Sequence, residues 1–208
     1  MGSVVDFTGT KVLEVGCGTG VRSVQIAQKC AHLAAVEPDA TLLAQARGIN
    51  DAENITYLPG SAEALPFDDG SFDIVFFTLS FHHVPEAGMS KAIDEAARVV
   101  RRDGHIIFFE PAFQGSFFES EIAFDACDGD ERKRKAAAYA CMLGHRRLRE
   151  IAELHDETIF SFESATDFIE SMSPKKGAEE EWETFLRLRH FTLDAQRRIN
   201  IFKSMPLK

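Results

Sequence analysis

The chain has 208 residues, of which 45% are hydrophobic and 27% charged, and its formal net charge is −10. This composition is typical of a folded globular protein of one domain and excludes a largely disordered chain. The acidic balance opposes binding to phosphate backbones, so we expect no nucleic acid partner. No apolar run approaches the ~20 residues of a membrane span. Residues 1–10 lack the pattern of a signal peptide, which predicts a cytoplasmic location.

The cysteines give no sign of a metal centre. Cys17, Cys30, Cys127 and Cys141 are widely separated and form no C-x-x-C pair. Zinc clusters and disulfide frameworks need denser spacing. We therefore expect reduced thiols and no metal site.

The first half of the sequence alternates strands with helices. Strands are predicted at Lys11–Val15, Leu33–Glu37, Ile55–Leu58, Asp73–Thr78 and His105–Glu110, and helices at Val21–Lys29, from Asp39 to about Asn50, and at Lys91–Arg101. The strands are apolar almost throughout, as they are when both faces of a sheet are covered. This pattern indicates an α/β fold with a parallel sheet and helices on both faces.

The second half is richer in helical patterns. Helical stretches are predicted across Pro111–Gly144, with a break near Asp128, and then at Ser164–Met172, Glu179–His190 and Thr192–Met205. Thr158–Phe162 is a candidate strand, and Arg198–Phe202 could instead be an edge strand. The sheet is therefore expected to have six or seven strands.

The residues that follow the first two strands indicate which kind of ligand the protein binds. Ligands of an open parallel sheet bind beyond the carboxyl ends of its strands. After the first strand comes a glycine-rich loop, Gly16 to Gly20, where a ligand can approach the backbone closely. Glu37 ends the second strand, a position from which a carboxylate can accept hydrogen bonds from both ribose hydroxyls. Together they predict a ligand that contains adenosine.

The spacing of the loop discriminates between ligands of this kind. The dinucleotide fingerprint is G-x-G-x-x-G, whereas this loop reads G-x-G-x-G and is preceded by Glu14. A pyrophosphate is bound by exposed backbone N–H groups at a helix N-terminus. An acid entering the loop suits a ligand with a positive amine, which favours S-adenosylmethionine. A nicotinamide oxidoreductase is kept as an alternative. Binding of a reduced nicotinamide cofactor would support it.

Several motifs then resemble one known family. Residues 12–20, Val-Leu-Glu-Val-Gly-Cys-Gly-Thr-Gly, resemble the first motif of class I S-adenosylmethionine-dependent methyltransferases. The later motifs, at residues 60–67, 71–75, 81–84 and 97–104, are similar to the methyltransferase type 11 branch that includes the ubiquinone/menaquinone C-methyltransferases. The resemblance extends over about residues 11–110.

The resemblance implies a fold and a separate role for each half of the chain. The fold would be Rossmann-like and doubly wound, a mostly parallel sheet with helices on both faces and a helical C-terminal elaboration. Residues 1–110 would form the S-adenosylmethionine-binding core. Residues 111–208 would continue the same domain, with the last strand or strands, as a lid and acceptor region.

The resemblance also implies roles for individual residues. Gly16, Gly18 and Gly20 would line the methionine and ribose portions, with Cys17 as a small buried filler in the same loop. Glu14 would orient the α-ammonium directly or through water, and Thr78 would lie by the methionine end. Glu37, beside Pro38, would hold the ribose diol. Ser61 and Ala62 would meet the adenine edge, with Glu63 nearby. Ser61 stands where the branch more often has Asp or Asn, so Glu63 could share the contact to the exocyclic amine.

The predicted function is methyl transfer from S-adenosylmethionine to a small-molecule acceptor by in-line displacement, leaving S-adenosylhomocysteine. The Phe-rich run from Phe108 to Phe124 is mostly core, and part of it would suit an apolar or aromatic acceptor. Histidine titrates near neutral pH, and a placed general base contributes ~10²–10⁴-fold. Packing is the favoured interpretation of the pair His82-His83, with His82 the better catalytic candidate. The alternative is a cofactor-binding module of this fold without turnover.

Overall fold

The computed structural model describes residues 4–49 and 52–205. The chain divides into two compact units. The first unit comprises residues 1–110, 137–154 and 199–208, and the second comprises residues 111–136 and 155–198. Within the described ranges, every helix is too short or too polar to cross a bilayer.

The described residues form seven strands, seven α-helices and one 3₁₀ turn. In chain order these are β1 (Lys11–Val15), α1 (Val21–Ala27), β2 (His32–Glu37), α2 (Ala40–Gly48), β3 (Ile55–Pro59), β4 (Phe72–Thr78), the 3₁₀ turn (Phe81–His83), α3 (Glu86–Val99), β5 (Val100–Pro111), α4 (Ser116–Phe124), α5 (Arg132–Gly144), β6 (Leu148–Ser161), α6 (Ala165–Met172), α7 (Glu179–Arg187) and β7 (Thr192–Ser204).

The strands join one sheet in the order β3-β2-β1-β4-β5-β7-β6. Strand β1 pairs in parallel with β2 on one side and with β4 on the other, and the pairs β2–β3 and β4–β5 are parallel too. Strand order therefore reverses beside β1, which opens a crevice at the carboxyl ends of β1 and β4. The predicted doubly wound, mostly parallel α/β fold is confirmed, with seven strands.

Both faces of the central strands are buried. Leu13 and Val75 belong to one hydrophobic cluster, and their neighbours Val12 and Ile74 belong to another. Side chains alternate between the two faces of a strand, so each cluster covers one face of the sheet. This is why the central strands are apolar at nearly every position.

The sequence pattern predicted the positions of the first strand and the second helix accurately. Strand β1 has the predicted bounds, and Asp39 caps α2 by accepting hydrogen bonds from the N–H groups of Thr41 and Leu42 at 2.7 and 2.9 Å. The predicted end of that helix near Asn50 lies outside the described residues. Strand β5 is longer than predicted, because it begins at Val100 rather than at His105.

The prediction of a helix at Thr192–Met205 was wrong, since Thr192–Ser204 form β7. The alternative strand at Arg198–Phe202 lies within β7, which runs between β5 and β6 and is not an edge strand. Leu193, Ala195, Arg197 and Ile199 are buried at every second position, which is the period of a strand. A buried arginine in this series hides the apolar alternation in the sequence. The candidate strand at Thr158–Phe162 exists, but as the end of β6, which begins at Leu148.

The second unit has a hydrophobic core of its own and a buried charged cluster. Its core includes Phe124, Phe162, Phe168 and Leu186. The charged cluster consists of Glu121 on α4, Lys135 on α5 and Glu131 just before α5, all nearly buried. Lys135 Nζ lies 3.3 Å from Glu121 Oε2, 3.8 Å from Glu131 Oε2 and 4.9 Å from the centre of the Phe118 ring.

This cluster places two acids around one cation in a poorly hydrated environment. Burial raises the pKa of Glu121, and the ammonium of Lys135 opposes that effect. A buried carboxylate that loses its cation is strongly destabilising. Glu121 therefore depends on Lys135, whereas Glu131 is also paired with Arg134 Nη1 at 3.4 Å.

We predict that Lys135→Met lowers the free energy of unfolding of the second unit by ~3–5 kcal/mol, the cost of leaving a buried pair without its cation. The single tryptophan, Trp182, lies in the second unit, so its fluorescence during urea unfolding reports on this unit. Lys133→Met, an exposed change on the same helix, is the control and should shift the midpoint little. Equal midpoints for the two variants would contradict the prediction.

Candidate functional site

A cavity of about 680 Å³ lies within the first unit, where β1, β2 and β4 end. Its volume is within the range of ~300–1,000 Å³ found for small-molecule sites. The lining comes from the segments after four strands and from the starts of α1 and α2: Val15, Gly16, Cys17, Gly18, Thr19, Val21, Arg22, Glu37, Pro38, Leu42, Gly60, Ser61, Ala62, Glu63, Phe77, Thr78, Leu79, Ser80, His83, Val84 and Pro85.

The glycine loop brings bare backbone to the cavity. Gly16 has φ of +75°, and a Cβ added there would lie 2.6 Å from Cβ of Ser80, so the close approach of these two segments requires glycine. Gly18 has φ of +54°, and a Cβ added there would have no atom within 4 Å. The surface at Gly18 is therefore open to a ligand. Gly20 precedes α1 and does not line the cavity.

Glu37 borders the cavity as an acceptor that holds the glycine loop. Its side chain is buried except for a small fraction, 6% of the residue surface. The N–H of Gly18 donates to Oε2 at 2.9 Å, and the N–H of Asp39 donates to Oε1 at 3.0 Å. Each carboxylate oxygen has a second lone pair. Glu37 can therefore accept further hydrogen bonds from a ligand while it holds the loop.

Cys17 is poorly suited to act as a nucleophile. Burial raises the pKa of its thiol to about 12, and the charges of Glu14 and Glu37 add to the effect. The reactive form of cysteine is the thiolate. At neutral pH this thiol stays protonated, and it contributes apolar surface to the cavity wall.

Glu14 lies beneath the cavity and does not line it. Its side chain is fully buried, and it accepts hydrogen bonds from Ser23 Oγ at 2.5 Å and Thr78 Oγ1 at 2.6 Å. Burial raises the pKa of Glu14, whereas these two hydroxyls and the charge of Arg22 lower it. The carboxylate thus links the end of β1 to α1 and to the end of β4.

The segment after β3 forms a third wall. Ser61, Ala62 and Glu63 all line the cavity, and Ser61 forms a short antiparallel bridge with Ala64. A Cβ added to Gly88, in the first turn of α3, would lie 2.7 Å from Oε1 of Glu63. The carboxylate of Glu63 therefore lies against the start of that helix, where a negative charge is favourable.

The turn after β4 is held by Glu110, at the end of β5. Its Oε1 accepts the N–H groups of Ser80 at 3.1 Å and Phe81 at 2.9 Å, and its Oε2 accepts the N–H of His82 at 3.4 Å. Leu79, at the start of the turn, has φ of 56°, and its N–H donates to the carbonyl of Phe109 at 2.7 Å. One buried carboxylate thus fixes three successive backbone donors.

The two adjacent histidines have different positions. His82 is buried, and its Nδ1 is hydrogen-bonded to Oε2 of Glu110. His83 is exposed and lines the cavity, with its ring centre 4.1 Å from that of His82. The 3₁₀ turn that contains both residues turns one side chain into the protein and the other toward the cavity.

Arg22 supplies a full positive charge to the cavity wall. It lies in the first turn of α1, directly after the glycine loop. The carboxylates among the described lining residues are Glu37 and Glu63. The cavity therefore presents separate positive and negative groups, which suits a ligand that carries both a carboxylate and hydrogen-bond donors.

The structure brings most of the predicted site residues together. Nine of the twelve line the cavity: Gly16, Cys17, Gly18, Glu37, Pro38, Ser61, Ala62, Glu63 and Thr78. Glu14, Gly20 and His82 do not. Sequence reasoning considered His83 but ranked it below His82, and it missed Arg22 and Glu110. Arg22 could have been found as the cation next to the loop, and Glu110 as an acid at a strand's carboxyl end.

Comparison with known proteins finds a family match in the first half of the chain. Residues 13–108 match the family described as a methyltransferase domain. The match covers the glycine loop, Glu37, the segment after β3 and the turn after β4. It accords with the resemblance that the sequence motifs had indicated.

Two curated relatives show how far the similarity extends. A malonyl-[acyl-carrier protein] O-methyltransferase of Erwinia billingiae is 36% identical over 100 residues, which are 48% of this chain and 38% of that protein. A ubiquinone/menaquinone biosynthesis C-methyltransferase of Allorhizobium ampelinum is 32% identical over 111 residues, or 49% of this chain and 42% of that protein. The chain thus spans less than half the length of these relatives.

Solved structures share the fold over a longer stretch. A putative methyltransferase from Bacillus halodurans has a TM-score of 0.63 at 17% identity, covering 94% of this chain and 92% of that one. The N-methyltransferase NodS from Bradyrhizobium japonicum, in complex with S-adenosyl-L-homocysteine, has a TM-score of 0.58 at 12% identity, covering 95% and 80%. At such identities the likeness concerns the fold alone.

We predict that Glu110→Ala speeds hydrogen exchange at the amides of Ser80, Phe81 and His82 by roughly tenfold or more, because their acceptor is lost. Leu79, whose N–H donates to Phe109 instead, is the internal control. Glu110→Gln keeps one acceptor oxygen and should show a smaller effect. Unchanged exchange at all three amides in the folded Ala variant would show that Glu110 does not hold the turn.

Proposed function

We propose that the protein is a class I S-adenosylmethionine-dependent methyltransferase that methylates a small-molecule acceptor, a proposal supported by the match of residues 13–108 to the methyltransferase domain family. The observation that carries the proposal is the cavity beside β1, where an open glycine loop, Glu37 and Arg22 meet. These are groups that a nucleoside carrying an amino acid needs around it.

The residues present fit S-adenosylmethionine. Gly18 leaves open space where a ligand can contact backbone, and Glu37 keeps lone pairs for two ribose hydroxyls. Adenine would lie by Ser61 and Ala62, at the β3 end of the cavity. Arg22 would pair with the carboxylate of the methionine portion, since a guanidinium and a carboxylate form strong paired hydrogen bonds.

The α-ammonium would meet Thr78 rather than Glu14. Thr78 lines the cavity and donates its hydroxyl hydrogen to Glu14. Its oxygen can still accept a hydrogen bond, and its orientation is set by the carboxylate beneath it. Glu14 would then act as a positioning residue through Thr78, whereas the resemblance had implied that it orients the α-ammonium directly or through water.

When bound, S-adenosylmethionine supplies a methyl group already activated by a sulfonium, so the protein needs no covalent nucleophile. The chain's task is to align the acceptor with the carbon–sulfur bond, an effect that contributes ~7–11 kcal/mol in well-oriented systems. The apolar side chains of Leu79, Val84 and Pro85 in the cavity wall favour exclusion of water. His82, held by Glu110, would keep the turn that carries these residues in place.

The acceptor itself is assigned only by class. One similar protein is an O-methyltransferase, another is a C-methyltransferase, and the ligand-bound structural neighbour is an N-methyltransferase. The net charge of −10 favours a small molecule over nucleic acid. The cytoplasmic location and the assignment of residues 111–208 to lid and acceptor binding stay predictions.

Methyl transfer can be tested without knowing the acceptor. The full chain, incubated with S-adenosylmethionine labelled in its methyl group and a small-molecule cell extract, should move label into an extract component and form S-adenosylhomocysteine. Heat-inactivated protein is the control. Tight binding of S-adenosylhomocysteine by calorimetry with no transfer would support a module without turnover. Absence of binding would overturn the proposed function altogether.

We predict that Glu37→Ala weakens S-adenosylhomocysteine binding by ~1–3 kcal/mol, the cost of losing hydrogen bonds to a charged acceptor. Asp39→Ala is a matched control, because it removes a nearby carboxylate that caps α2 and does not line the cavity. Calorimetry on both variants, with thermal melting to confirm that each is folded, makes the comparison. Equal affinities in the two variants would remove Glu37 from the site.

A further inference from the structure

The cavity wall at the end of β3 offers a ligand mostly backbone groups. Ser61 carries a single hydroxyl and Ala62 has no polar side-chain atom, and both residues line the cavity. Glu63 also lines it, but its side chain packs on α3, where a Cβ added to Gly88 would lie 3.1 Å from Cγ of Glu63. Backbone groups recognise a ligand well only when the chain that carries them already has a fixed conformation. Recognition at this wall therefore depends on the contacts that fix the segment after β3.

Backbone hydrogen bonds fix the start of this segment. The N–H of Gly60 donates to the carbonyl of Glu37 at 3.3 Å, which continues the pairing of β3 with β2. The N–H of Ala64 then donates to the carbonyl of Ser61 at 3.1 Å and closes a turn of four residues. These two bonds define the turn but do not hold its far end to the rest of the unit.

Two side chains of α3 hold the residues that follow the turn. Oε2 of Glu95 accepts the N–H of Leu65 at 2.9 Å. Arg98 donates to the carbonyl of Leu65 at 3.1 Å and to the carbonyl of Phe67 at 2.7 Å. The side chain of Leu65 is buried in the same hydrophobic cluster as Ala62. Both backbone polar groups of Leu65 are thus bonded to one helix, directly after the turn.

Glu95 and Arg98 also hold each other in place. Nε and Nη2 of Arg98 donate to Oε1 and Oε2 of Glu95, both at 2.8 Å, which is the paired geometry of a guanidinium and a carboxylate. These bonds hold the pKa of Glu95 below its ordinary value, so the pair stays charged at neutral pH. Arg98 also donates to Asp69 at 2.9 Å, but the side chain of Asp69 is 81% exposed, and such surface pairs contribute little.

We propose that Arg98, together with Glu95, is a positioning residue for recognition of the adenine base. It would hold the segment after β3 in the conformation in which Ser61 and Ala62 meet the edge of the base. Neither Arg98 nor Glu95 lines the cavity. The inference rests on the proposed function and adds to it a pair of residues that act on the cofactor from outside the cavity.

The effect of the pair should be confined to the base. The glycine loop is held by the carboxylate of Glu37, and the ends of β1 and β4 are joined through Glu14. These supports do not involve α3. Loss of Arg98 should therefore displace the groups that meet the base and leave the surroundings of the ribose and the methionine portion in place.

Two ligands that differ only at the base edge test this proposal. One is S-adenosylhomocysteine, and the other is its purine analogue, in which hydrogen replaces the exocyclic amine. Arg98→Met should weaken binding of S-adenosylhomocysteine about tenfold, the upper range for one net hydrogen bond. The analogue already lacks the amine contact, so its binding should weaken less than about threefold. Calorimetry measures both affinities, and equal losses for the two ligands, or no loss for either, would overturn the proposal.

Three further variants separate the geometry of the pair from its charge. Arg98→Lys keeps the charge but has no planar fork, so it should resemble Arg98→Met. Affinities as in the unmodified chain for Arg98→Lys would contradict the proposed geometry. Asp69→Asn changes only the exposed partner, and Arg102→Met changes an exposed arginine of β5. These two controls should keep both affinities within about twofold.

Hydrogen exchange tests the support of the segment without any ligand. Glu95→Ala removes the acceptor of the Leu65 amide and should speed its exchange roughly tenfold or more. The amide of Ala64, whose acceptor is the carbonyl of Ser61, is the internal control. Unchanged exchange at Leu65 would overturn the proposal even if Arg98→Met did not fold. Failure of the unmodified chain to bind S-adenosylhomocysteine would instead reject the proposed function.

Discussion

The geometry of the site depends on one fully buried carboxylate. Glu14, at the end of β1, accepts hydrogen bonds from Ser23 on α1 and Thr78 on β4, and so joins the elements on either side of the switch point. Burying a carboxylate is unfavourable, and its raised pKa reflects that. Two short hydroxyl donors offset the desolvation, and the result is a fixed separation between the glycine loop and the β4 turn.

The same device recurs at two other strand ends. Glu37 at the end of β2 holds the N–H groups of Gly18 and Asp39, and Glu110 at the end of β5 holds three N–H groups of the turn after β4. Backbone N–H groups in loops have no strand or helix partner and must be satisfied in some other way when buried. Here carboxylates at strand ends satisfy them. The acids that a sequence pattern predicts as ligand contacts therefore have a second role, which is to give the loops a single conformation before any ligand arrives.

This double role explains which parts of the site the sequence could predict. The glycine loop, Glu37 and Ser61 to Glu63 follow strands of clear apolar pattern, so their places at one edge of the sheet follow from topology alone. Glu14 sits two residues before the loop, where strand alternation and not spacing decides whether a side chain faces ligand or core. Which of His82 and His83 lines the cavity depends on a 3₁₀ turn that Glu110 holds from a distant position in the sequence. No local sequence pattern predicts this orientation. Strand β7 was not predicted in full for a related reason, because its buried Arg197 interrupts the apolar alternation of the sequence.

The turn after β4 also shows where the fold accepts strain near the cavity. Leu79 has φ of 56°, a left-handed conformation that costs an L-residue roughly 1–2 kcal/mol. A glycine there would relieve the strain but would remove a side chain that lines the cavity. The conformation is held by the bond from Leu79 N–H to Phe109, by Ser80 Oγ to Val15, and by Glu110 beyond it. Together these bonds tie the turn to the ends of β1 and β5, so the sheet itself determines the direction in which the next residues, and His83 among them, leave the strand. A side chain placed by that many constraints loses little further freedom when a ligand binds, and this is the preorganisation that alignment of two reacting groups requires.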